Sequence, residues 1–156
     1  MANNFERVDE YRRVSSAGTS RLETTGHGMR VAPGKVTWIY QAGIGYDGPT
    51  SHNVFTVYLE NGRNFITDWS GIQTIGEFVR VNEYARIKQE DGSTILQYTD
   101  HGIRVNPAQV VSIYTRGLGY ELDGETTHEC FRVQLIGGAS FVTDWAGVEL
   151  MNSYGS

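Results

Sequence analysis

Val54-Phe55-Thr56-Val57-Tyr58-Leu59-Glu60-Asn61-Gly62-Arg63-Asn64-Phe65-Ile66-Thr67-Asp68 places two runs rich in β-branched and aromatic residues on either side of an Asn-Gly pair. Such side chains suit a pleated, half-buried surface, and Asn-Gly readily takes the positive φ angles of a two-residue type I′ hairpin turn. The stretch therefore predicts two antiparallel strands. A two-residue turn pairs Glu60 with Arg63 and Leu59 with Asn64, which sets Phe55, Val57 and Leu59 on one face with Ile66 and Asp68. Val54, Tyr58, Phe65 and Trp69 fall on the reverse face, and that face is too apolar to be left in water. Some other element must cover it.

The pattern returns later in the chain, with Phe131, Val133 and Leu135 before Gly137-Gly138, Val142 and Asp144 after it, and Cys130, Gln134, Phe141 and Trp145 on the reverse face. Working outward, the recurrence extends over nearly the whole sequence. Phe5-Glu6-Arg7-Val8-Asp9-Glu10-Tyr11 reappears as Phe78-Val79-Arg80-Val81-Asn82-Glu83-Tyr84, and His27-Gly28-Met29-Arg30-Val31-Ala32-Pro33 as His101-Gly102-Ile103-Arg104-Val105-Asn106-Pro107. Phe65-Ile66-Thr67-Asp68-Trp69-Ser70-Gly71 likewise returns as Phe141-Val142-Thr143-Asp144-Trp145-Ala146-Gly147. The second copy is longer just before Gly92 and again near Glu121-Leu122, both beside glycines where turns tolerate insertion. Two repeats follow, residues 1–77 and 78–156. Each is small for burying an adequate core alone, so the expectation is that the two pack about a pseudo-twofold axis.

Within each repeat, Val36-Thr37-Trp38-Ile39-Tyr40 and Val110-Val111-Ser112-Ile113-Tyr114 read as buried strands, each begun after a proline. Arg21 to Val31 and Ile95 to Val105 read as further strands, the second preceded by an Asp91-Gly92 turn. Asp68 and Asp144 stand before Trp-x-Gly, where an aspartate caps the free amides of a short helix. Phe5 to Val14 and Phe78 to Ile87 suit a helical or a strand period and stay open between the two. Gln41 to Asn53 and Thr115 to Glu129 read as the longest irregular loops. The expected class is all-β with short helical turns, arranged as two tandem β-sheet repeats.

Charge and composition narrow the function. Thirteen basic against eighteen acidic residues give a formal net charge of −5, which lacks the basic excess that a phosphate backbone demands, so duplex nucleic acid is not an expected partner. The one cysteine, Cys130, leaves no internal disulfide and no multi-cysteine zinc site. No apolar stretch approaches membrane-spanning length and no apolar h-region follows Met1, so the sequence predicts a soluble cytoplasmic product with no membrane partner.

One polar constellation recurs: His27, Arg30, Tyr46, His52 and Asp68, then His101, Arg104, Tyr120, His128 and Asp144. Imidazoles, a guanidinium and a phenol can hold an anionic metabolite or nucleotide, because arginine grips oxyanions bidentately and tyrosine stacks on a base. The structural alternative is that His27 and Arg30 tie a strand end to its neighbour and that Asp68 is only a cap. The Gly-x-Gly-Tyr segments lack the strand and helix context of a dinucleotide fold and have no phosphate loop, so no cofactor is expected. His27, His52 and Asp68 match no short metal signature, and no metal is assigned. Cys130 replaces Val54 on an alternating strand, as a small apolar residue does, and no nucleophile elbow exists. Paired carboxylates for acid-base work are also missing, so the expectation is no enzyme.

Aromatic residues, Trp69 and Trp145 among them, dominate interface hot spots. The expectation for function is a non-catalytic binding or assembly protein that engages a protein partner or copies of itself. A ligand-sequestering protein with duplicated His/Arg/Tyr sites for a small anion is the alternative.

Overall fold

The computed structural model describes residues 5–154, and the protein is all-β. Two compact units divide the chain, Met1–Glu77 and Phe78–Ser156, and the same order of elements runs through each.

In the first unit the strands are β1 (Glu6–Ser16), β2 (Thr19–Val31), β3 (Val36–Asp47), β4 (Thr50–Leu59) and β5 (Asn64–Asp68), followed by helix α1 (Trp69–Ile75). The segment left open between helix and strand is thus strand β1. Neighbouring strands run in the order β2-β1-β5-β4-β3, and β3 returns to pair with β2 in parallel through Leu22 opposite Gly45 and Glu23 opposite Tyr46. That last pairing, two residue pairs long, closes the five strands into a barrel. Closure on so few strands requires sharp bending, and the register slips that supply it lie between Asp9 and Tyr11 on β1 and between Gln41 and Gly43 on β3. Pro33–Lys35 form a 3-10 turn, so β3 starts at Val36 after that turn.

The second unit is built alike from β6 (Val79–Lys88), β7 (Thr94–Val105), β8 (Val110–Tyr120), β9 (Thr127–Leu135), β10 (Ser140–Asp144) and helix α2 (Trp145–Ser153). Its strand order is β7-β6-β10-β9-β8, closed by the parallel pairs Leu96 with Gly119 and Gln97 with Tyr120. Tyr84, Leu96, Cys130 and Val142 form one buried cluster, as Tyr11, Leu22 and Val54 do in the first unit.

The hairpin that sets the fold departs from its expected register by one residue. The Leu59 N–H donates to the Arg63 carbonyl at 2.8 Å, and Val57 stands opposite Phe65 and Phe55 opposite Thr67. Of the turn residues only Gly62 has a positive φ, +88°, and Asn61 does not. A type I′ turn needs positive φ at both central positions, so the chain instead takes a three-residue loop with one left-handed glycine. Val57, Phe65 and Thr67 are consequently buried on one face and Val54 and Asp68 on the other. Both faces are covered: Val54 packs with Tyr11 and Leu22, while Trp69 of α1 lies against Phe55 with ring centroids 5.6 Å apart.

A true two-residue turn with both φ angles positive occurs elsewhere, at Ala17-Gly18 between Ser16 and Thr19. The extra residue before Gly92 lengthens the corresponding turn, where the Gln89 N–H donates to the Ser93 carbonyl at 2.7 Å. The expected irregular loops are corrected more thoroughly. Gln41 to Asn53 is mostly strand, with β3 running to Asp47 and β4 starting at Thr50, and Thr115 to Glu129 is largely β8 and β9. Its glycines do structural work: a Cβ on Gly45 would come within 2.6 Å of Val54 and 2.8 Å of the Tyr11 ring. The second unit matches, since a Cβ on Gly119 would meet Cys130 Sγ at 2.5 Å and the Tyr84 ring at 2.7 Å. Glycine stands there because the tyrosine packs directly on the backbone.

Candidate functional site

The recurring polar residues are laid out by the strands that carry them. In the first unit His27 is exposed on β2, where its backbone N–H donates to Thr25 Oγ1 at 3.1 Å. Arg30 lies further along β2, exposed and opposite Arg7. It lines a cleft of about 340 Å³ with Met29, Lys35, Leu59, Glu60 and Asn61, and neither His27 nor His52 is among the walls. The cation of Lys35 is already engaged there, 3.2 Å from Glu60. His52 is exposed on β4 opposite Gly45, and Tyr46 faces Ser51 across the same hairpin with the Arg21 guanidinium 4.5 Å from its ring centroid.

In the second unit His101 repeats the arrangement of His27, donating through its backbone N–H to Thr99 Oγ1 at 3.1 Å. Arg104 is half-buried on β7 opposite Arg80. His128, opposite Gly119, places Nε2 2.5 Å from the Glu121 carboxylate. Tyr120 faces Thr127 and borders a separate cleft.

Asp68 and Asp144 serve a different purpose from a ligand site. Each is buried at the end of a strand, and each caps its helix by accepting the N–H of Gly71 or Gly147 at 3.0 Å. The free oxygen of Asp68 accepts the Tyr11 hydroxyl at 3.0 Å, and that of Asp144 accepts the Tyr84 hydroxyl at 3.2 Å and Asn82 Nδ2 at 3.4 Å. Burial first, and then the neighbouring aspartate, hold both phenols far above the ordinary tyrosine value. Cys130 is fully buried, and burial followed by the charge of Asp144 pushes its thiol up to about 11. A thiol so placed is inert at neutral pH, because the thiolate is the nucleophile.

The aromatic residues separate into three settings. Phe65 and Phe141 are buried. Trp38, Tyr40 and Tyr58 meet on β3 and β4, with Trp38 5.4 Å from Tyr58 and 6.3 Å from Tyr40, whereas Ser112 and Gln134 occupy the corresponding cross-strand pair and hydrogen-bond at 2.9 Å. Trp69 is half-buried, and Trp145 is 51% exposed with its ring 5.5 Å from Phe131.

Two arginines that were not singled out in the sequence border the cleft of Tyr120. Arg86 of β6 and Arg116 of β8 line a space of about 360 Å³ together with Thr94, Ile95, Leu96 and Leu118. Arg86 recurs as Arg13 and so carried a signal, but Arg116 stands where the first repeat has Ala42, which a search for recurring residues passes over. Among the described residues no three His, Cys, Asp or Glu side chains gather to hold a metal ion, and no helix is long and apolar enough to cross a membrane. Comparison of the chain with family models, with curated proteins and with solved structures finds no match.

Proposed function

We propose that this chain is a non-catalytic binding or assembly protein, a duplicated β module that engages a protein partner or a second copy of itself. The observation that carries the reading lies on β8, where two large apolar side chains stand out close together on one strand: Val111 is 65% exposed and Tyr114 48%. Isolated exposed apolar residues are ordinary, but two of them close together on one strand are what a partner surface supplies. Tyr114 adds a large ring with a polar tip, a combination favoured at interfaces.

The remaining chemistry favours binding over turnover. The buried carboxylates of Asp68 and Asp144 are committed to helix caps and tyrosine hydroxyls, and the Cys130 thiol is buried and protonated at neutral pH. Light scattering after size exclusion tests the self-association form directly. The expected result is a mass above that of the 17.4 kDa monomer at micromolar concentration, returned to the monomer in Val111→Ser plus Tyr114→Ser with the circular dichroism spectrum unchanged. A monomer at every concentration sinks that form, and an oligomer indifferent to the double substitution removes β8 as its surface.

A further inference from the structure

The second unit differs from the first at one surface in a way that points to a small ligand. Arg86 from β6 and Arg116 from β8 border a cleft of about 360 Å³ whose other walls are Thr94, Ile95, Leu96, Gly117, Leu118 and Tyr120, a size within the roughly 300–1,000 Å³ range of small-molecule sites. Among the described residues neither guanidinium takes part in an ion pair. No carboxylate lines the cleft, and Glu121, which follows Tyr120 in the chain, is paired with His128. Two guanidiniums lining one cleft, neither of them ion-paired, leave their donors available to grip an anion.

The first unit shows how the same surface looks when it is satisfied from within. There Arg21 pairs with Glu23 at 2.6 Å and lays its guanidinium plane over the Tyr46 ring, 4.5 Å from the centroid. Arg13 donates to Ser20 at 3.4 Å, and Ala42 stands in place of the second arginine. In the second unit Ile95 replaces Arg21, so the planar cation over the tyrosine is gone, while Arg116 adds a positive charge at the rim. The ring of Tyr120 and the side chains of Ile95 and Leu118 then offer an apolar bed next to a positive end.

We infer that the cleft bounded by Arg86, Arg116 and Tyr120 binds a planar organic phosphate of nucleoside monophosphate size, its phosphate on the two arginines and its ring on Tyr120. This site belongs to the second unit alone and is independent of the β8 pair, because its test leaves Val111 and Tyr114 untouched.

Calorimetric titration of the full chain at low ionic strength, with adenosine monophosphate, inorganic phosphate and adenosine as probes, tests it. The monophosphate should bind most tightly, and Arg86→Gln and Arg116→Gln should each weaken it about tenfold, the usual scale of one lost charge-assisted contact. Tyr120→Leu should weaken the monophosphate and leave inorganic phosphate unchanged, while Arg30→Gln in the first unit should alter nothing. Absence of binding at about millimolar monophosphate overturns the assignment, as does binding that survives Arg86→Gln plus Arg116→Gln. Equal affinity for the monophosphate and inorganic phosphate overturns the role given to Tyr120.

Discussion

The Tyr11 hydroxyl donates to one carboxylate oxygen of Asp68 at 3.0 Å while the other oxygen accepts the Gly71 N–H at 3.0 Å, so one buried carboxylate ties the first strand of the unit to its helix. A buried charge is tolerated only when its lone pairs are satisfied, and here each donor comes from a different element. The recurrence of tyrosine and aspartate in the two repeats is explained by this join.

Removing the phenol tests the join. Tyr11→Phe keeps the ring packed on Leu22 and Val54 but leaves Asp68 short of one donor, which should cost about 2 kcal/mol, the usual scale for a hydrogen bond to a buried charged group. Tyr84→Phe should cost less, about 1 kcal/mol, because Asn82 Nδ2 also reaches Asp144. Urea unfolding of the two variants provides the comparison, and equal losses would show that Asn82 contributes nothing.

Close approach of that ring to the backbone gives a second expectation. A methyl at Gly45 would sit 2.8 Å from the Tyr11 ring and 2.6 Å from Val54, and neither neighbour is a flexible chain end that can move aside. Gly45→Ala and Gly119→Ala should each lose about 2 kcal/mol through overpacking. Gly34→Ala, where nothing lies within 4 Å, is the control. A neutral Gly45→Ala would mean that the barrel wall yields, contrary to the tight contact described.

Those same glycines explain how far the sequence could be read. The two hairpin strands, the Asp68 and Asp144 caps and the repeat of the element order are legible because alternation and capping are local signals, whereas β1 and β6 suit a helical period equally well. Hairpin register is not legible, since Asn61-Gly62 permits both a two-residue and a three-residue turn and barrel packing chooses between them. Gly43 and Gly45 looked like loop glycines because a bulge and a contact with Tyr11 leave the same mark in one dimension as a flexible turn does. The site fared similarly: His27, Arg30 and His52 recur, yet their strands carry Arg30 to a cleft that the histidines do not line. Arg116 went unnoticed because it does not recur.

Two buried hydroxyls offer a substitution expected to do no harm. Thr67 Oγ1 and Thr143 Oγ1 have no hydrogen-bond partner, although both residues are wholly buried. Valine fills the same volume without a polar group to desolvate, so Thr67→Val and Thr143→Val should leave stability unchanged or raise it by about 1 kcal/mol. Thr→Ala at either position should lower it through the cavity left beside the helix. Thermal melts decide the matter, and a loss on Thr→Val would reveal a donor role for the hydroxyl.

Alkaline pH gives the last expectation, with the sign set by groups whose folded values lie above their unfolded ones. The Cys130 thiol rises from 9.0 to about 11 on folding, so its contribution is complete below about pH 9 and disappears as the pH climbs toward 11. Over that window the unfolded chain sheds the proton first and gains in relative stability. Tyr11 and Tyr84 follow, because both are held above their ordinary value of 10.0, and their contributions start to fall only near pH 10. Cys130→Val installs the residue that the first repeat has at Val54 and removes the earlier titration while leaving the later ones. The urea midpoint of the wild type should therefore begin to drop near pH 9, and that of Cys130→Val should hold until near pH 10. Identical profiles for the two proteins between about pH 8 and pH 10 would show that the thiol is not held protonated by its burial beside Asp144.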